Sequence, residues 1–294
     1  MNRRRALQRL AAPPAAGLAA CSPLAVVNGL SPAEGYRLQA GIAYGEGERR
    51  RLDLYAPEAG RAPALVVFFY GGSWRSGRRE DYRFVGQALS ALGFAVAIAD
   101  YRLYPEVVFP GFVEDSAAAV AWALAHAGDA GVPSRRVFVM GHSAGAYNAA
   151  MVALAGKYLA AEGADPRQLA GLIGLAGPYD FLPLGGPLLQ QIFGGAPDLA
   201  ATQPVNFVTP KAPPALLATG DADTTVLPRN TKRLAARLRE AGVPVQEKIY
   251  PDVDHYRLIG AVSEPLRHLA PVAGDVDSFV RRQSALAQEQ ARHA

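Results

Sequence analysis

Ser143 has a glycine two positions away on each side, in the segment Gly141-His142-Ser143-Ala144-Gly145. A serine in such a segment can act as a nucleophile when it lies at the tip of a sharp strand-to-helix turn, because the turn exposes its hydroxyl. The glycines let neighbouring chain come close without a Cβ clash. A chain with 30 glycines also meets this pattern by chance, so the surrounding sequence has to support the interpretation.

The surrounding sequence is that of a strand followed by a helix. Val137–Met140 is an apolar run long enough for one buried strand, and the small-residue run Ala149–Leu154 has helical character. This context would lift the Ser143 hydroxyl clear of a sheet and direct the N–H of Ala144 toward an oxyanion formed nearby. We therefore interpret the segment as a nucleophile elbow.

A serine hydroxyl is a weak nucleophile, so a base has to lie within hydrogen-bond reach. The chain has five histidines. Four of them are poorly placed to act on the serine. His142 lies within the elbow, and His126 ends a predicted helix before the serine. His268 lies in the middle of a predicted helix, and His293 lies in the tail. His255 follows a predicted strand end downstream of the serine, and we predict that it is the base.

A carboxylate should hold this base in the correct tautomer, and in the order serine, acid, histidine it lies between positions 143 and 255. Asp223 is favoured because it follows the predicted strand Pro214–Thr219 in a turn rich in glycine and aspartate. Asp221 in the same turn is interpreted as a turn former that bonds its own backbone. Three other carboxylates remain open, which are Asp180 after the preceding strand, Asp252 and Asp254.

An oxyanion hole needs a second backbone donor beside Ala144. Gly71 and Gly72 follow the buried strand Leu65–Tyr70, and neither has a side chain that would keep its N–H away from the elbow. We predict that Gly71, Gly72 and Ala144 form the hole. The alternative is that the two glycines form an ordinary strand-to-loop turn.

All these residues lie at the ends of predicted strands. The apolar runs predict strands at Leu65–Tyr70, Phe94–Ala99, Val137–Met140, Leu169–Ala176 and Pro214–Thr219. A last strand is predicted at Val245–Tyr250. Helices are predicted between and after them at Asp81–Leu92, Gly111–His126, Leu227–Ala241, Tyr256–Leu269 and Asp275 to about Ala291. The alternation predicts an α/β protein with a mostly parallel sheet and helices on both faces, which binds ligands beyond the carboxyl ends of its strands.

The sequence of the N-terminal part of the domain predicts two strands that pair antiparallel, unlike the rest of the sheet. Tyr36–Tyr44 and Arg50–Tyr55 alternate in polarity around Gly45-Glu46-Gly47-Glu48, which is a hairpin signal. We expect an antiparallel edge here.

The motifs together resemble those of the α/β-hydrolases, in the esterase branch that includes hormone-sensitive-lipase-like, feruloyl-esterase-like and kynurenine-formamidase-like enzymes. The matching stretches, within about residues 36–270, are Tyr70-Gly71-Gly72-Ser73-Trp74, Asp100-Tyr101-Arg102-Leu103, Gly141-His142-Ser143-Ala144-Gly145, Asp223 and His255. Tyr70 stands where these families usually have histidine. The resemblance implies that Asp100 and Arg102 tie loops together and are not catalytic.

The resemblance implies a serine hydrolase that cleaves carboxylic esters of small or medium acyl or aryl groups through an acyl-enzyme, with no metal or organic cofactor. An amidase acting on an N-formyl arylamine such as N-formylkynurenine would use the same residues. A non-catalytic, surface-tethered binding protein is the more distant alternative. Such members of the fold typically lack the serine or the histidine, and this chain has both.

The segment between the strands Leu169–Ala176 and Pro214–Thr219 is rich in glycine, proline and leucine. Residues 181–210 could form a short lid with an apolar underside. The same composition also suits a packed connector, and both readings stay open.

The charge pattern excludes some partners. The net charge is +4, and Arg3, Arg4, Arg5 and Arg9 precede position 21 without an acidic residue. The chain has 30 Lys and Arg residues and 26 acidic residues. Apart from these four arginines, basic and acidic residues are equal in number, so the rest of the chain is neutral. We therefore exclude nucleic acid and anionic membranes as partners of the folded domain, since both require a basic surface.

The N-terminus resembles a bacterial lipoprotein leader. Three arginines precede the apolar stretch Leu7–Ala20, and Leu18-Ala19-Ala20-Cys21 resembles a lipobox. We expect a signal peptide at 1–20, a tether at 21–35, the α/β-hydrolase domain at 36–294, and an exported protein anchored to a bacterial membrane through Cys21. A disordered N-terminus of a cytoplasmic protein is the alternative. As the single cysteine, Cys21 excludes an intramolecular disulfide and a Cys-based metal site.

Overall fold

The computed structural model describes residues 23–133 and 136–293. These residues form one eight-stranded sheet in the order β1-β2-β4-β3-β5-β6-β7-β8. The strands are β1 Tyr36–Ala43, β2 Arg51–Pro57, β3 Leu65–Phe69, β4 Ala95–Ala99, β5 Val137–His142, β6 Leu169–Leu175, β7 Ala215–Gly220 and β8 Val245–Tyr250.

The strand pairing follows the hydrophobic pattern. β1 pairs antiparallel with β2, and β2 pairs antiparallel with β4, whereas every other pair is parallel. The central strands β3, β4 and β5 are buried at every position, as continuous apolar runs in a parallel sheet should be. The predicted fold class, including the antiparallel N-terminal edge, is confirmed.

Nine α-helices are present in the described part of the chain. They are α1 Pro23–Leu30, α2 Arg83–Ala91, α3 Gly111–His126, α4 Ala144–Leu154, α5 Lys157–Ala161, α6 Gly186–Phe193, α7 Arg229–Glu240, α8 His255–Gly260 and α9 Val272–His293. The bounds of α3 are those predicted from the sequence. None of these helices is both long and apolar enough to cross a membrane.

Helices cover the sheet in two groups. α2 and α9 contact each other and the sheet, and α3 and α4 contact each other and the sheet. Because the central strands are buried throughout, both of their faces are covered. Only the strand ends remain for solvent and ligands, and this places the predicted site residues at one edge.

The predicted tether at 21–35 is wrong over α1, which packs against the domain. The Asn28 side chain accepts a hydrogen bond from the N–H of Phe84 at 3.0 Å and donates to the carbonyl of Asp81 at 2.8 Å. The Arg83 guanidinium donates to the carbonyl of Pro32 at 2.8 Å. Pro23 does not interrupt this helix, because it occupies the first position, where proline is tolerated. The predicted signal peptide at 1–20 and Cys21 lie outside the described residues.

The predicted helix Tyr256–Leu269 is also corrected. α8 ends at Gly260, and a separate 3-10 turn follows at Glu264–Leu266. The Ser263 hydroxyl donates to the carbonyl of Gly260 at 2.7 Å, and Pro265 has no N–H with which to continue an α-helix. The helix begins at His255, one residue earlier than predicted and shortly after the end of β8.

Candidate active site

Ser143 lies at the tip of a strained turn between β5 and α4. Its φ of 55° and ψ of −124° are sparsely populated for a residue with a side chain. The flanking glycines make this turn possible. A Cβ on Gly141 would lie 2.2 Å from the carbonyl oxygen of Gly145, and a Cβ on Gly145 would lie 2.0 Å from that of Phe69.

His255 links the serine to a carboxylate. Its Nε2 lies 2.9 Å from the Ser143 Oγ, and its Nδ1 lies 2.7 Å from the Asp223 Oδ2. His255 is 4% exposed and Asp223 is 2% exposed. Because a carboxylate accepts, Nδ1 carries the proton and donates, and this leaves the Nε2 lone pair to accept from the serine hydroxyl. The structure thus brings together the three side chains predicted to react.

Both carboxylate oxygens of Asp223 accept hydrogen bonds. Its Oδ1 accepts from the N–H groups of Thr225 and Val226, each at 2.9 Å, while Oδ2 faces His255. The carboxylate lies just after the end of β7 and has little freedom to turn.

The other candidate acids have different partners. Asp180 pairs with Arg233 at 2.8 Å. Asp221, predicted to bond the backbone of its own turn, instead accepts from the N–H of Asp252 in the loop after β8, at 2.7 Å. Asp254 is the N-cap of α8 and accepts from the N–H groups of the second and third residues of that helix's first turn. The structure therefore brings Asp223, and none of these carboxylates, to the imidazole of His255.

The loop after β3 passes directly over the serine. A Cβ on Gly71 would lie 3.0 Å from the Ser143 Cβ, and Gly72 has a φ of 131°, which favours glycine. The Gly72 carbonyl accepts from the N–H groups of Arg75 at 3.1 Å and Ser76 at 3.2 Å, so the loop is closed on itself. The structure thus places Gly71 and Gly72 beside the serine, with Ala144 at the start of α4.

The role of Gly71, Gly72 and Ala144 as oxyanion donors stays a prediction. The approach of Gly71 to the Ser143 Cβ and the position of Ala144 directly after the nucleophile are the observations that support it.

Tyr70 fixes the base of this loop. Its hydroxyl donates to the Asp100 Oδ1 at 2.8 Å, and its carbonyl accepts from the Tyr101 hydroxyl at 2.8 Å. The Tyr70 and Tyr101 rings stack with centroids 4.8 Å apart. Arg79 bridges Asp100 to Asp53. Tyr70 is thus held by stacking and hydrogen bonds at the start of the loop.

Two cavities meet at Ser143. The large cavity has a volume of about 530 Å³ and mostly apolar walls, which include Trp74, Phe181, Leu188, Leu189, Val226 and Leu227. The small cavity, of about 320 Å³, is lined by residues that include Leu24, Gly71, Gly72, His142, His255 and Tyr256. Among the described residues, His255 lines the small cavity and not the large one.

The segment 181–210 forms one wall of the large cavity. Phe181, Leu188 and Leu189 face the cavity, whereas Phe193 at the end of α6 is buried. The Phe193 ring meets the Trp74 ring edge-on with centroids 4.9 Å apart. The segment therefore forms an apolar wall that is packed against Trp74 through Phe193. Its movement as a lid stays a prediction.

Sequence reasoning missed one polar side chain in the site. His142 lies in the elbow, and its Nε2 is 3.1 Å from the main-chain oxygen of His255. Position 142 is adjacent to the nucleophile, but the partner lies 113 residues later, and no local pattern predicts such a contact.

The chain is similar in sequence to known esterases. Residues 52–238 match the family model described as BD-FAE. A probable isoprenylcysteine alpha-carbonyl methylesterase from Arabidopsis thaliana is 28% identical over 249 residues, which cover 77% of this chain and 52% of that protein. The esterase LipC of Mycobacterium tuberculosis is 27% identical over 220 residues, which cover 67% of this chain and 54% of LipC. The chain spans about half the length of these curated relatives.

Among solved structures, an esterase from Pyrobaculum calidifontis has the same fold. The two chains superpose with a TM-score of 0.71 at 23% identity, over 90% of this chain and 89% of that one.

Proposed function

The chain belongs to the BD-FAE family, in the esterase branch of the α/β-hydrolases, and on that premise we propose that it is a serine hydrolase of carboxylic esters. The observation that carries the proposal is the hydrogen-bonded chain from Asp223 through His255 to Ser143, with distances of 2.7 and 2.9 Å. This arrangement supplies a nucleophile, a base and an orienting carboxylate in the order that acyl transfer requires.

In the first half of the reaction, the Ser143 Oγ bonds to the ester carbonyl carbon while His255 Nε2 takes the hydroxyl proton. The carbonyl electron pair moves to its oxygen, which accepts hydrogen bonds from the N–H groups of Gly72 and Ala144. Asp223 stabilises the imidazolium that forms. The intermediate then collapses: the bond to the alcohol oxygen breaks, and this oxygen takes the proton from Nε2.

In the second half, water takes the place of the alcohol. Nε2 of His255 removes a proton from the water, whose oxygen bonds to the acyl carbon. The bond to Ser143 breaks, and the serine oxygen recovers its proton from the imidazole. The carboxylic acid leaves and the enzyme returns to its starting state.

The positions of the two cavities support an assignment of the two halves of the ester. The alcohol oxygen takes its proton from His255, so the alcohol must lie on the side that His255 lines, which is the small cavity. The acyl group then occupies the large cavity, whose aromatic and aliphatic walls suit small or medium acyl or aryl groups.

A chain-length series tests the proposed activity. Wild type and Ser143→Ala are assayed with p-nitrophenyl esters from acetate to palmitate, and with N-formylkynurenine. We expect kcat/KM to be highest for short or medium acyl groups and to vanish in Ser143→Ala. A wild type that prefers N-formylkynurenine to every ester, or a Ser143→Ala variant with wild-type rates, would contradict the proposal.

The acyl assignment has its own test in α6. Leu189→Ala enlarges the large cavity, so we expect it to shift the preference toward longer acyl chains while leaving the alcohol preference unchanged. Gln191→Ala on the exposed side of the same helix is the matched control. If both variants keep the wild-type acyl profile, the large cavity does not hold the acyl group.

We also propose that residues 1–20 direct export and that Cys21 is acylated. The support is the leader pattern in the sequence alone. Fractionation of a bacterial host that produces the full chain should find wild type with the membranes and Cys21→Ala in the soluble fraction. Equal membrane retention of the two proteins would exclude the anchor.

A further inference from the structure

Two imidazoles lie side by side in the site. The rings of His142 and His255 have centroids 4.7 Å apart and are inclined by 42°. His142 directly precedes the nucleophile and is 3% exposed. The mechanism above uses His255 and gives His142 no role, so this buried polar ring requires an explanation.

The hydrogen bonding of His142 fixes its tautomer. Its Nε2 lies 3.1 Å from the carbonyl oxygen of His255, and a carbonyl oxygen can only accept, so Nε2 carries the proton. The His142 Nδ1 is buried and has no hydrogen-bond partner among the described residues. Burial, together with the nearby His255, holds the pKa of His142 well below its usual range. The ring is therefore a neutral donor.

The partner of this bond is the main chain of the residue that carries the base. His255 is the first residue of α8, and Asp254 caps the helix by accepting from the N–H groups of Tyr256 and Arg257. The cap fixes the first turn to its own preceding residue. The bond from His142 fixes it to the nucleophile elbow, which belongs to a different strand.

We propose that His142 is a positioning residue that holds the base of the reaction against the nucleophile by donating its Nε2–H to the His255 carbonyl. This inference rests on the proposed serine-hydrolase function. The bond joins the two segments whose side chains must lie 2.9 Å apart for proton transfer, and small displacements of reacting groups are costly in rate.

The neutrality of His142 is part of this role. His255 becomes an imidazolium during the reaction, and a second positive charge at 4.7 Å would oppose that step. A neutral ring donates its hydrogen bond without opposing the charge on His255. A lysine or arginine here would provide a donor and also a repulsive charge.

Three variants separate the hydrogen bond from the space that the ring fills. His142→Gln keeps an N–H donor at a similar reach, whereas His142→Leu and His142→Phe fill space without a donor. We expect kcat with p-nitrophenyl butyrate to fall on the order of 10- to 100-fold in the Leu and Phe variants, with KM within about threefold of wild type. We expect His142→Gln to recover most of this loss.

Each outcome decides the question. Wild-type kcat in the Leu and Phe variants would overturn the proposal, as would an equal loss of kcat in the Gln variant at an unchanged Tm. If both apolar variants fail to fold, His142→Asn replaces them, because its amide is too short to reach the His255 carbonyl. We expect the same loss of kcat in His142→Asn, and wild-type kcat there would overturn the proposal.

Failure of the wider proposal looks different. A folded wild type that neither hydrolyses esters nor reacts with a fluorophosphonate would contradict the serine-hydrolase function itself. A wild type that does both, beside a His142→Leu variant with the same kcat, would contradict only the role of His142.

Discussion

Ser143, Asp223 and His255 stand just beyond the ends of β5, β7 and β8, whereas the walls of the two cavities come mostly from loops, together with Leu24 of α1 and with Leu188 and Leu189 of α6. β5 is paired on both sides, with β3 and β6, and β7 is paired with β6 and β8. The reacting side chains are therefore positioned by main-chain pairing across the sheet. The walls are positioned by side-chain packing, such as that of Phe193 against Trp74.

This difference suggests a division of labour. Main-chain pairing fixes backbone positions closely, which chemistry requires, and it leaves little room for substitution. Side-chain packing tolerates changes of size, so it can set which ester fits. We expect changes at the strand ends to lower kcat for every ester, and changes in the walls to alter the preference among esters.

The largest effect is expected for Asp223→Asn. The amide oxygen can still accept from Thr225 and Val226, and its NH₂ group then faces His255 and forces the wrong tautomer. We expect kcat to fall on the order of 10³- to 10⁴-fold with every ester, as steady-state assays would measure.

Asp180→Asn is the matched control for this change. Asp180 follows the neighbouring strand β6 and pairs with Arg233 near the surface. We expect its kcat to stay within about twofold of wild type, because surface ion pairs contribute little. If both variants lost activity equally, the acid could not be assigned to Asp223.

Gly71→Ala tests the loop that closes the strand-end region. The new Cβ would lie 3.0 Å from the Ser143 Cβ and 3.1 Å from the His142 Nδ1, so the loop must move by a few tenths of an ångström. We expect kcat to fall on the order of 10- to 100-fold, with the acyl preference unchanged. A changed preference with an unchanged kcat would place Gly71 in the walls instead.

The buried His142 at the end of β5 should also make the stability of the fold depend on pH. The pKa of His142 is lowered in the folded protein, so below about 6.5 the unfolded chain binds a proton that the folded one does not. The free energy of unfolding should therefore fall by up to about 1.4 kcal/mol per pH unit as the pH drops below that value. Urea unfolding between pH 8 and pH 5 should show a shallower decline in His142→Gln. Parallel declines would contradict this account.

The smallest effect is expected in α1. Leu24 lines the small cavity, so Leu24→Ala should raise kcat/KM about three- to tenfold for acetates of bulky alcohols such as 2-naphthol, relative to ethyl acetate. Val26, in the same helix, is 50% exposed, and Val26→Ala serves as the control. Identical alcohol preferences in the two variants would remove α1 from the substrate-binding walls.

The positions of the reacting side chains could be predicted from the sequence, whereas the walls of the cavities could not. The apolar runs predicted the central strands, because strands buried on both faces need continuous apolar sequence, and the alternating polarity around Gly45-Glu46-Gly47-Glu48 predicted the antiparallel pair. Ser143, Asp223 and His255 could then be grouped without knowledge of side-chain contacts, since parallel strands end at one edge of the sheet.

The cavity walls and the hydrogen bond between His142 and His255 could not be predicted in this way. The helix α1 depends on contacts of Asn28 and Arg83 across more than 50 residues, and its sequence alone indicated a tether. The bond from His142 to His255 likewise depends on the loop between β8 and α8, which brings the first residue of α8 to the elbow. Such contacts have no period in the sequence, because they arise only after the sheet has formed.

The most direct test of the account is the site at which a fluorophosphonate probe reacts, located by mass spectrometry of the digested protein. We predict a single phosphonylated residue, Ser143, in wild type, much slower labelling in Asp223→Asn, and none in Ser143→Ala. Folded wild type that stays unlabelled, or that carries the label on another residue, would contradict the central claim.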